Sequence, residues 1–151
     1  MKTIFSKYPE NIQIDSNYCL NERQMPLLSF ICTDGNNETR VVGFCLIADE
    51  SRDMMVLMFN MLKDNNPCTS HLSTVMVDKD MNEIEALKEV FPEVDIELCL
   101  FHVQKAFRLK INSLSCSNSD KDKLRSVITK CCYAATEEAY EAARAQIASI
   151  S

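Results

Sequence analysis

The sequence predicts an α/β fold: a mixed sheet of about five strands flanked by helices, with a helical C-terminal extension. Three observations carry this. Short β-forming runs alternate with segments of helical period, two of the early runs flank a turn-forming cluster, and the last third of the chain shows helical periodicity only.

In chain order, residues 11–15, NIQID, alternate polar and apolar, so Ile12 and Ile14 share one face of a first strand. Residues 27–34 and 40–48 are rich in β-formers and enclose GNNE, which makes them a β-hairpin. From Ser51 the period changes, and Met54, Leu57, Met58, Met61 and Leu62 recur as a helical core stripe until DNNP stops it. STVMVD, residues 73–78, is a short strand. Asp80 with Glu83 three residues on gives a capping-box start to a helix that carries Ile84, Leu87 and Val90 and ends before Pro92. VDIELCL, residues 94–100, supplies a fifth strand. Val103, Phe107 and Ile111 or Leu114 then lie along one helical face, and two more helices are expected over 120–133 and 136–149. A hairpin appended to a right-handed crossover unit gives a mixed sheet, and this element order is that of the ribonuclease H-like fold.

With 151 residues, 46% of them hydrophobic and 25% charged, the chain has the usage of an ordinary globular domain. No apolar run approaches the roughly 20 residues a bilayer span requires, and the N-terminus has no signal-like stretch, so a soluble, intracellular chain without a membrane partner is expected. The eight cysteines are scattered, several within strand-like runs, which favours reduced and mostly buried thiols over a disulfide framework. A net charge of −6 argues against a broad basic face for a polyanion. Lys105, Arg108 and Lys110 form a local basic group that could meet a phosphate backbone, but a solvated helix face is the preferred reading.

Two aspartates, Asp15 and Asp78, each close a predicted strand. Carboxylates converging at a sheet edge suit Mg²⁺ or Mn²⁺, which take oxygen ligands and support in-line displacement at phosphorus. Aspartate is also common where a strand becomes a turn, so spacing alone leaves both readings open. Asp80 reads as a helix cap. Cys99 and His102, in CLFH, form a C-x-x-H pair of zinc-compatible donors. A closed zinc site needs four ligands; His71 and the Cys131–Cys132 pair are the available completions, and no second motif of recognised spacing accompanies them, so a buried structural Cys/His pair is favoured over zinc.

Taken together, ENIQIDSNYCLNERQMPLLSFICTD, VVGFCLIADESRDMMVLMFNML and VMVDKDMNEIEALKEVFPEVDIELCLFHVQKAF resemble the transposase domain of Mutator-like elements. More narrowly, they are similar to the ribonuclease H-like domain of the SWIM zinc-finger proteins, a group related to those transposases. The resemblance covers about Phe5 to Phe107. It implies a ribonuclease H-like domain over 1–112, with 113–151 the start of a helical insertion. It also implies that Asp15 and Asp78 are the first two acids of an ancestral Asp-Asp-Glu set working with divalent metal, and that Cys99 and His102 are the C-x-x-H element. Glu50 corresponds to a recurrent acidic residue.

The third acid is expected beyond the insertion. Asp120, Asp122, Glu137, Glu138 and Glu141 come too early and lack its Asn-rich context, DSNYCLN departs from the usual first motif, and no SWIM-type C-x-C or C-x-H motif is present. The resemblance thus implies a nuclear, domesticated module for DNA or protein interaction, not active alone. The alternative is a fragment of a metal-dependent DDE-type DNA transposase with two of three catalytic acids. A third reading is an α/β domain whose aspartates only terminate strands.

Overall fold

The structure, a computed structural model, describes residues 1–17, 22–78 and 80–150. Tyr18, Cys19 and Asn21 of the first motif, and Lys79, lie outside the described residues. The chain divides into two compact units, Met1–Cys99 and Leu100–Ser151.

In the first unit, α1 (Lys2–Lys7) precedes β1 (Asn11–Asn17), β2 (Leu27–Thr33) and β3 (Thr39–Leu46). Next come α2 (Arg52–Asn65), a 3₁₀ turn (Pro67–His71), β4 (Thr74–Val77), α3 (Met81–Val90) and β5 (Asp95–Leu98). The strands form one sheet in the order β3-β2-β1-β4-β5, antiparallel through the hairpin and parallel from β1 to β4 to β5. This is the predicted mixed five-stranded sheet.

The hairpin forms where GNNE predicts it. Asp34 Oδ1 accepts the backbone N–H groups of Asn36 at 2.9 Å and Glu38 at 3.0 Å, and Asn37 takes the left-handed conformation, with φ of 61°. Arg40 Nε donates to Asp34 Oδ2 at 2.8 Å, closing the turn from the β3 side.

The two central parallel strands contribute Ile12, Ile14, Val75 and Val77, all buried, as the alternation of NIQID and the apolar run TVMV predict. These join Leu28 and Phe30 of β2, Met55, Met58 and Phe59 of α2 and Ala86, Leu87 and Val90 of α3 in a single core. Phe59 meets Phe91 edge-on, with ring centroids 6.4 Å apart. The buried face of α2 is rotated from the predicted stripe: Leu57 and Met61 are exposed, while Met55 and Phe59 take the inner positions. Period alone gives a helix but leaves its phase ambiguous when both faces are apolar.

Two elements are additions to the predicted order. Helix α1 is one and a half turns anchored by Phe5, too short for a periodic signal, and the 3₁₀ turn follows the helix-stopping DNNP segment. In the second unit, α4 (Leu100–Asn112), α5 (Asn118–Cys132) and α6 (Glu137–Ile147) pack in sequence around Ile111, Leu124, Val127 and Ala143. Ser117 and Thr136 cap α5 and α6 by accepting the N–H groups of Asp120 and Ala139. The described cysteines form no disulfide; Cys32 and Cys99 are buried, and the others are partly buried.

Candidate metal centre

Asp15 does not close its strand. β1 continues to Asn17, and Asp15 pairs with Ser29 of β2 inside the antiparallel ladder. A carboxylate at a paired position within a strand is not a turn starter, so the structural explanation drawn from strand ends fails for this residue. Asp78 does stand directly after β4.

The parallel register brings the two together. Gln13 is opposite Met76 at the last pair between β1 and β4, and Asp15 and Asp78 each lie two residues further on. Continued past its last pair, that register sets Asp15 of β1 and Asp78, just after β4, at the same level.

A further acid lies on the first turn of α3. Asp80 Oδ1 accepts the Glu83 N–H at 3.0 Å, so the N-terminus of α3 is capped as predicted. Glu83 itself is buried, at 5% exposure, and among the described residues no hydrogen bond or ion pair reaches its carboxyl. Burial, followed by the charges of Asp78, Asp80, Glu50 and Asp15, pushes the Glu83 carboxyl up to about 8. Sequence reasoning assigned this residue only a capping role. The available signal was three acids within six residues at a strand-to-helix junction.

Glu50 enters from the ADES turn. Its backbone oxygen accepts Asn82 Nδ2 at 3.0 Å, tying that turn to the first turn of α3. Asp49 serves the turn itself, accepting from Ser51, and that hydrogen bonding lowers its carboxyl below the usual range. Ser51 in turn caps α2 through the Met54 N–H. The register thus brings the carboxylate-bearing residues of β1 and the end of β4 to one level, and oxygen donors of this kind fit a hard divalent cation.

The C-x-x-H residues are placed differently. The Cys99 N–H donates to the Val77 carbonyl at 2.7 Å, and its Sγ lies within 4.8 Å of a ligand oxygen of Asp78. His102 is on the first turn of α4, in the second unit, with its ring edge-on to Phe101. His71 ends the 3₁₀ turn before β4, at the opposite end of the parallel strands from Cys99, and so does not complete a set with it. Cys131 and Cys132 end α5.

Three of the acids after His102 have local side-chain partners. Asp120 takes the Ser117 hydroxyl and Lys123, Asp122 pairs with Arg125, and Glu141 pairs with Arg144. Glu137 and Glu138 occupy the first turn of α6, where the helix dipole favours them.

The chain has a counterpart among known protein families. The family model for the RNaseH-like domain of zinc finger SWIM domain-containing protein 1/3 matches residues 1–97, the whole of the sheet up to the penultimate residue of β5. The chain belongs to this family of ribonuclease H-like domains.

Proposed function

We propose that this is a transposase-derived ribonuclease H-like domain that acts as a non-catalytic DNA- or protein-interaction module of a SWIM zinc-finger-type protein, working in the nucleus and retaining a cation-binding corner. The observation that carries the reading is the common level that the β1–β4 register gives Asp15, inside the β1–β2 ladder, and Asp78, directly after β4. Asp15 and Asp78 would hold the ion. A bound Mg²⁺ or Mn²⁺ would supply charge compensation and polarisation of a phosphate oxygen.

Two features favour interaction over strand transfer. Asp120, Asp122 and Glu141 are engaged in a cap and local ion pairs, and residues 1–99 carry 17 Asp/Glu against eight Lys/Arg, a poor setting for a phosphate backbone. The alternative, a DDE-type transposase fragment, is favoured by the in-register aspartates themselves. For Cys99 and His102, the C-x-x-H spacing and softer donors suit zinc better than Mg²⁺.

The test is calorimetric titration of Mn²⁺ and Mg²⁺ into the chain, paired with a nicking assay on supercoiled DNA. The expected result is saturable binding that Asp15→Asn and Asp78→Asn each abolish, without nicking. Metal-dependent nicking lost in both variants would establish the alternative, and absence of saturable binding would remove the cation corner.

A further inference from the structure

A polyanion docks where cations outnumber acids, and one such place lies in the second unit. No Asp or Glu occurs between Glu97 and Asp120, in a chain that carries 22 acids. Helix α4 falls within that stretch and presents Lys105, Arg108 and Lys110, all exposed.

Helices α4 and α5 enclose a cleft between them. Gln104 and Arg108 line it from α4 and Arg125 and Thr129 from α5, alongside Phe107 and the buried Ile111. Asn112, one turn after Arg108, fixes the α5 wall: its side-chain oxygen accepts Arg125 Nη2 at 2.8 Å, and its backbone oxygen accepts Lys121 Nζ at 3.0 Å. Both acceptors are uncharged, so the cations are positioned without being cancelled. Asp122 pairs with the other terminal nitrogen of Arg125, but it is 72% exposed, where an ion pair contributes little. Among the described residues no carboxylate pairs with Arg108, Lys105 or Lys110.

Two guanidinium groups on one cleft repel each other, and a phosphate removes that repulsion while accepting planar, bidentate hydrogen bonds. We infer that the α4–α5 cleft is the surface on which this domain takes the phosphate backbone of DNA, with Arg108 and Arg125 contacting phosphate and Lys121 adding charge. Phe107, 44% exposed in the same cleft, offers an aromatic face to an unstacked base, a contact that an acidic peptide would not use. The inference rests on the DNA branch of the proposed interaction role and assigns it to the second unit.

The experiment is fluorescence anisotropy of the full chain with a short labelled duplex, the matching single strand and a labelled polyglutamate peptide, at about 50 and about 200 mM salt. Circular dichroism melts establish that each variant is folded. Arg108→Gln should weaken DNA binding at least threefold, and its combination with Arg125→Gln at least tenfold, with the slope of log affinity against log salt reduced by about two. Arg108→Lys should retain part of the affinity. Asp122→Asn, which releases Arg125, should strengthen binding about threefold. Arg144→Gln removes the same charge from α6 and should match the wild type. Arg125→Gln also breaks the bond to Asn112, so Arg108→Gln decides the matter if the double variant does not fold. Wild-type affinity in Arg108→Gln, or a loss no larger than in Arg144→Gln, overturns the cleft while DNA binding itself stands. A wild type that binds neither DNA probe removes the cleft and the DNA branch together. Polyglutamate bound in place of DNA overturns the nucleic-acid assignment and makes the cleft a protein-docking surface.

Discussion

Glu83 shows how one side chain records the chemistry around it. Its carboxyl is raised to about 8 from an ordinary value of 4.5, by burial and by neighbouring acids. Between those two values the metal-free folded state holds a proton that the unfolded chain has released. Stability must then fall as pH rises from about 4.5 to 8, the reverse of the usual paired carboxylate. Thermal melts of the metal-free chain should show this decline. Glu83→Gln, which is neutral throughout, should raise the melting temperature at pH 8 and flatten the dependence. An unchanged slope in the variant would assign the pH effect to other groups. The same residue marks a limit of sequence reading: its capping position was legible, but its burial depends on how α3 lies on the sheet, which no local pattern specifies.

Elements were easiest to read where local rules and burial agree. The hairpin was legible because GNNE supplies turn chemistry between two β-forming runs, and the two central strands because Ile12 and Ile14 alternate with polar residues and TVMV is apolar. The phase of α2 was not, because Met54, Met55, Leu57, Met58 and Met61 offer apolar residues on more than one face, and only packing against α3 and the sheet selects among them. Asp15 looked like a strand end because the alternation of NIQID stops there, whereas the ladder to β2 continues through Ser16 and Asn17. Pairing partners extend a strand past its own pattern. Two outcomes follow at this scale. Phe59→Ala, which empties a fully buried site, should cost about 3–5 kcal/mol in chemical denaturation. Ser117→Ala removes the α5 cap and should cost only about 1 kcal/mol.

Charge is divided unevenly over the whole molecule. Residues 100–151 carry eight Lys/Arg against five Asp/Glu, while residues 1–99 carry the 17-to-eight acidic excess. The overall charge of −6 hides this division. A DNA partner, on the proposed reading, is held chiefly by the helical unit, and reversing Lys105 and Arg108 to Glu should weaken duplex binding and flatten its salt dependence. Asp15→Asn should leave such binding intact or strengthen it. Electrophoretic mobility shifts at two salt concentrations separate these outcomes.

The cation corner is the claim on which the rest of the functional account depends, and paramagnetic NMR reads it most directly. With substoichiometric Mn²⁺ added to the isotopically labelled chain, the backbone amides of Asp15, Ser16, Asp80 and Glu83 should broaden first, and Asp15→Asn with Asp78→Asn should abolish that selectivity. Broadening spread evenly over the exposed acids, or centred on the Asp34–Glu38 turn, would contradict the account.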